Sequence, residues 1–172
     1  MTWLKLPTIK GHEFSWITEE SSLTERLKKE FNDVKVDVIY EGLASEKETE
    51  YIREVIIKSC DKPMIFAQTR VKMIDLDSAW SCLKKLGQQS LANILFKDPE
   101  ISRHSLLYRV CKPEDVLYKH LKSLGYLQDE ILWMRQSVWE RYGKILLLTE
   151  VFLNNSKHCQ DQSFLLASEQ IS

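Results

Sequence analysis

The segment that most constrains the fold is Ile145-Leu-Leu-Leu-Thr-Glu-Val-Phe-Leu153. Strand side chains alternate between two faces, and here both faces are apolar, so this strand needs cover on both sides. Glu150 is the one charge in it. A buried, unpaired carboxylate costs several kcal/mol or takes up a proton. Glu150 therefore requires an Arg partner, a ligand or a raised pKa. An ion pair that only fixes the fold is one reading; a functional carboxylate is the favoured one.

The rest of the chain supplies strands to flank it. Val34–Tyr40 is rich in β-branched residues and is ended by Glu41-Gly42. Tyr51–Lys58 and Met64–Val71, joined by an Asp61-Lys62-Pro63 turn, read as an antiparallel hairpin. Arg103–Val110 is a further strand, and Leu132–Trp139 pairs with Ile145–Leu153 across Arg141-Tyr142-Gly143-Lys144. Helices are predicted at several places. Ser22-Leu-Thr-Glu25 is a capping box ahead of the stripe Leu23, Leu27, Phe31. Asp77 caps a helix through Leu86, stopped by Gly87. Ser90–Phe96 is a short helix, and Pro113–Leu124 an amphipathic one ended by Gly125. The expected class is α+β, a six-stranded antiparallel sheet with helices on one side or at one end.

A chain of 172 residues with net charge −1 and 44% hydrophobic residues suits one domain with a tail. The expected division is a domain over 1–153 and a polar C-terminal tail over 154–172, where Phe164-Leu165-Leu166 has the means to dock. Lys/Arg and Asp/Glu are interspersed, which argues against a nucleic-acid surface. No apolar run is long enough for a bilayer, and Met1–Lys10 lacks the apolar core of a signal peptide. The expected setting is the cytoplasm, as a monomer without membrane insertion. Cys60, Cys82, Cys111 and Cys159 form no close pair, so free thiols are expected, three of them in or near the core. Of the histidines, only His158 adjoins a second ligand type, Cys159, so no metal site is expected.

Polar groups recur in strands that otherwise look like core. Tyr51, Arg53, Val55 and Ile57 share a face, which places Arg53 in an apolar row. It either snorkels to the edge or pairs with a carboxylate. Arg135 lies in Trp133-Met-Arg-Gln-Ser137, and Gln68 and Arg70 share a face with Met64 and Phe66. An Arg or Glu on several strands, against an apolar background, suits an enclosed pocket for a small anion with an apolar body. No glycine-rich phosphate loop and no Ser/Cys–His triad competes with that reading.

The order and spacing of these pieces resemble a known family. Glu48-Thr-Glu-Tyr-Ile-Arg53-Glu-Val-Ile-Ile57, Asp61-Lys-Pro-Met-Ile-Phe-Ala-Gln-Thr69, Lys85-Leu-Gly87, Ser90-Leu91, Leu95-Phe96, Leu132-Trp-Met-Arg135-Gln-Ser137 and Leu146-Leu-Leu-Thr-Glu150-Val-Phe-Leu153 together are similar to chorismate lyase. The likeness runs over roughly residues 20 to 153. It implies a six-stranded antiparallel sheet with helical flaps over an enclosed ligand, and elimination of pyruvate from chorismate to leave 4-hydroxybenzoate. It also implies no cofactor, a product that is retained and inhibits turnover, and a place in ubiquinone synthesis. It makes Arg53 the carboxylate clamp, Glu150 the partner of the ring hydroxyl, and Leu23 and Leu91 pocket-lining residues.

Three features depart from the family pattern. Gln68 stands where the family has a second active-site Arg, Ser90-Leu91-Ala92 where it has Pro-Leu-Gly, and Lys112–Glu130 is longer, an expected peripheral addition. Arg70, two residues from Gln68, is a candidate substitute for the missing Arg; the alternative is that it pairs with a surface acid. The expected catalytic residues are then Glu150 and Arg53, with Gln68, Arg70, Arg135, Leu23 and Leu91 as further binding residues. A ligand-sensing or catalytically inactive binding domain of the same fold is the alternative function.

Overall fold

The computed structural model describes residues 2–44, 47–127 and 131–153. The expected tail, with His158, Cys159 and Phe164-Leu165-Leu166, lies outside the described residues. Six strands form one antiparallel sheet: β1 (Val34–Ala44), β2 (Lys47–Ser59), β3 (Lys62–Lys72), β4 (Ile101–Cys111), β5 (Leu132–Arg141) and β6 (Lys144–Phe152), in the order β1-β2-β3-β6-β5-β4. The α+β expectation holds. β6, the doubly apolar segment, is a central strand between β3 and β5, with Leu146 on the one face and Val151 on the other fully buried and Ile145 at its start exposed.

Two hairpins close on two-residue turns. Cys60 and Asp61 have φ of 47° and 61°, and Tyr142 and Gly143 have 51° and 74°. Positive φ at both central residues gives the turn twist that matches paired strands. The first turn thus falls one residue earlier than Asp61-Lys62-Pro63 implied, and Pro63 lies in β3 opposite Lys58. β1 runs past Glu41-Gly42 to Ala44, with a bulge at Ile39 absorbing one residue.

Helices are short. α1 (His12–Ile17) had no counterpart in the sequence reading. α2 (Leu23–Glu30) begins as expected, with Ser22 Oγ accepting from the Glu25 backbone N–H. The helix expected over Asp77–Leu86 does not form. Instead α3 (Met73–Leu76) ends at Asp77, and a 3₁₀ turn covers Ser81–Lys85. Ser78 Oγ donates to the Asp75 carbonyl, the kind of local bond that competes with a helix. The break also lets Trp80 plug the core completely buried. α4 (Ala92–Leu95) and α5 (Val116–Ser123) follow.

The core has three parts that bracket the site. On one face, call it the front, Trp80, Leu83, Leu86, Leu91 and Leu95 pack on Trp139 and Leu146 at one end. Trp16, Leu23 and Leu27 pack on Val55, Ile57 and Ile65 at the other. On the back, Tyr118 and Leu121 of α5 pack with Ile56, Phe66, Met134 and Val151. The segment expected to be peripheral therefore contributes core, because the back of β6 must be covered too. Cover lies on both faces rather than on one side or at one end. Cys111 is buried in that back layer, where burial pushes its thiol pKa up to about 11. Cys82 is half-buried and Cys60 is exposed at its turn, so two of the three expected core cysteines lie toward the interior; all three are free.

Candidate active site

Between the two front clusters lies a concave, largely apolar cavity. Its floor is the sheet and its roof is made by Ser21–Thr24 and Ser90–Ala92 with Leu95 and Phe96. Register explains which side chains enter it. Arg53 pairs with Thr69, Thr69 with Leu148, and Leu148 with Ser137. Glu150 sits between Ala67 and Arg135. Residues directly opposite share a face, so Arg53, Thr69, Leu148, Ser137, Glu150 and Arg135 all point to the front.

Arg53 is only 2% exposed. Its Nη2 donates to the carbonyls of Gly87 (2.8 Å) and Gln89 (3.2 Å), tying the strand to the roof. Gly87 has φ 52°, a left-handed conformation that costs glycine little. Arg53 Nε is buried and has no hydrogen-bond partner among the described residues. A buried donor left unmade is costly, and because Arg53 lines the cavity an acceptor bound there would satisfy it. Burial lowers its pKa, an effect opposed by the Glu41 carboxylate directly across on β1. Tyr51 in turn donates to Glu41.

Glu150 is buried and paired: Arg135 Nε donates to its Oε2 at 2.5 Å. Arg135 Nη1 also donates to the carbonyls of Ile17 and Glu19. Arg135 therefore holds the carboxylate and the α1–α2 connection together, while Glu150 still lines the cavity. Leu23 and Leu91 line it from the two roof segments. Those segments are linked to each other by Thr24 Oγ1 and Ser90 Oγ, 2.9 Å apart and both buried.

The fold does not bring Gln68 and Arg70 to this cavity. Both face the back. Gln68 Nε2 donates to Glu54 Oε1 (2.8 Å), and Glu54 Oε2 pairs with His120 of α5 (2.8 Å). Arg70 pairs with Glu50 at 2.9 Å, the surface-acid alternative. The sequence reading also missed Thr69, Ser137, which accepts from Trp139 Nε1 (2.7 Å), and Arg103, which lines the cavity from β4. Among the described residues no three His, Cys, Asp or Glu converge as metal ligands, and no helix is long and apolar enough to cross a membrane.

The family model for chorismate lyase matches residues 1–162. The chain belongs to the chorismate lyase family. A relative named "probable chorismate pyruvate-lyase" from Nitrosomonas europaea is 30% identical over 150 residues, covering 80% of this chain and 84% of that one. The chorismate pyruvate-lyase of Pectobacterium atrosepticum is 29% identical over 170 residues, covering 91% and 86%. Among solved structures, a gene product of Staphylococcus aureus aligns over 78% of this chain and 89% of its own, with TM-score 0.51 and 9% identity, a likeness of fold alone. Within this chorismate lyase-family chain, the matched segment contains every strand and both roof segments.

Proposed function

We propose that this protein eliminates pyruvate from chorismate to leave 4-hydroxybenzoate, and that the front cavity is its active site. The observation that carries the reading is that one largely apolar cavity is lined both by Arg53, whose buried Nε has no partner among the described residues, and by the carboxylate of Glu150. The family's substrate is a cyclohexadiene with two carboxylates. In the elimination the C–H bond at the hydroxyl-bearing carbon breaks, and its electrons form a ring double bond. The ether C–O bond beside it breaks, and the departing enolpyruvate gains a proton to become pyruvate. Aromatisation supplies the driving force, so the protein has to bind, orient and stabilise developing charge rather than form a covalent intermediate.

Arg53 offers its Nε–H and its positive charge to the ring carboxylate, while its Nη2 stays tied to the Gly87 and Gln89 carbonyls. Glu150, held by Arg135 through one oxygen, presents the other to the ring hydroxyl. Leu23 and Leu91 close over the ring and exclude water. The reading extends to a soluble monomer of the cytoplasm that retains its product and supplies ubiquinone synthesis; size-exclusion chromatography and cell fractionation test the first two points. The catalytic reading is tested by incubating the protein with chorismate and separating the aromatic products. Accumulation of 4-hydroxybenzoate supports it. Tight binding of 4-hydroxybenzoate with no turnover of chorismate would instead support the ligand-sensing alternative.

A further inference from the structure

One arginine of the cavity has no role in this account. Arg103 lies near the start of β4, opposite Trp139, and the next residue, His104, is extruded: pairing jumps from Arg103–Trp139 to Ser105–Val138. A bulge of this kind kinks a strand and re-aims a side chain. Arg103 accordingly lines the cavity. Its guanidinium carbon lies 5.5 Å from the centroid of the Trp139 ring, and its Nη1 donates to the Glu20 carbonyl at 2.8 Å, beside the roof segment. A guanidinium held against an aromatic ring keeps an edge able to bind a carboxylate.

The charges of the cavity point the same way. Its charged lining residues are Arg53, Arg103, Arg135 and Glu150. Arg135 is committed to Glu150 and to two carbonyls. Two guanidiniums remain, and the excess positive charge matches a dianion. They stand on opposite sides: β2 and β4 are separated by β3, β6 and β5, roughly 19 Å across a flat sheet.

We infer that Arg103 binds the second carboxylate of the substrate, the one carried by the side chain that leaves, while Arg53 holds the ring carboxylate. The inference rests on the lyase reading. It assigns to the front face, at Arg103, the second cation that neither Gln68 nor Arg70 can supply from the back. It also makes Arg103 a substrate contact that the aromatic product lacks.

The test compares the native protein with Arg103→Gln and Arg103→Lys by calorimetry, using 4-hydroxybenzoate and the dicarboxylate 3-(carboxymethoxy)-4-hydroxybenzoate, together with kcat/KM for chorismate. Arg103→Gln is expected to leave 4-hydroxybenzoate affinity within about twofold while weakening the dicarboxylate and kcat/KM by about tenfold or more, the size of a lost charge-assisted contact. Arg103→Lys, which keeps the charge, should recover part of the loss and serves if the Gln variant folds poorly. Equal loss for both ligands would assign Arg103 to holding Glu20 and overturn the inference, as would no loss for either. Failure of the native protein to bind either ligand overturns the lyase reading and this inference with it; native binding of both with an indifferent Arg103→Gln overturns only the inference.

Discussion

Glu150 meets two demands at once. It satisfies the buried Arg135, and it faces the cavity. The alternatives posed by the sequence, a structural ion pair or a functional carboxylate, are therefore not exclusive, and Glu150→Gln should show both effects. Neutralising one partner of a buried pair is expected to lower stability by about 3 kcal/mol. At a temperature where the variant is fully folded, kcat should still fall at least about a hundredfold, on the scale of a lost polar catalytic group. A folded Glu150→Gln with native kcat would leave only the structural role. Arg70 offers the opposite case. Its partner is Glu50 and its strand face is the back, so Arg70→Ala should change kcat/KM less than about twofold, against the tenfold that 1.4 kcal/mol of lost transition-state binding would give. A tenfold loss would contradict the placement of the cavity. Arg53, Glu150 and Arg135 were legible in the sequence because a charge in an apolar, alternating strand has few explanations. Gln68 and Arg70 were misplaced because alternation gives the faces within a strand but not which face of one strand matches which face of the next. Arg53 stands opposite Thr69, and that one-residue offset turns Gln68 and Arg70 away.

Among elements, the strands were easier to read than the segments between them. β-branched runs and turn residues located all six strands, to within a few residues at each end. The helix expected over Asp77–Leu86 failed because Ser78 bonds back to Asp75 and Trp80 is drawn into the core, where its Nε1 donates to the Lys144 carbonyl, which periodicity does not register. Arg103 escaped for a similar reason: the bulge at His104 belongs to the pairing of β4 with β5, not to the sequence of β4. The roof illustrates a further level. Thr24 of α2 and Ser90 ahead of α4 are far apart in the chain, yet their hydroxyls are 2.9 Å apart. Ser90 Oγ also accepts from the Ala92 backbone N–H at 3.3 Å. This pair couples the two segments that close the cavity. In a double-mutant cycle, Thr24→Val and Ser90→Ala should show a coupling energy of about 1 kcal/mol in thermal or urea unfolding, the net size of a buried hydrogen bond. Additive effects would mean that the two segments are held down independently.

At the scale of the molecule, the sheet is a divider. The back is sealed at one end by α5, and the front is split into two packed clusters that leave a cavity between them. A ligand that fills that cavity binds the folded state alone, so it must raise the melting temperature. 4-Hydroxybenzoate should raise it more than benzoate, because only the former has a hydroxyl for Glu150. Equal shifts would remove Glu150 as the hydroxyl partner, and no shift with either would place the ligand elsewhere. On the proposed function, Arg53 and Glu150 together make this cavity a site for pyruvate elimination. The most direct measurement is the initial rate of pyruvate release from chorismate, followed through lactate dehydrogenase, for the native protein and for Arg53→Gln at equal folded concentration. The expected result is steady release by the native protein and a loss of kcat/KM of at least about a hundredfold in the variant, roughly 2.7 kcal/mol of transition-state stabilisation. A native protein that releases no pyruvate, or a folded Arg53→Gln that releases it at the native rate, would contradict it.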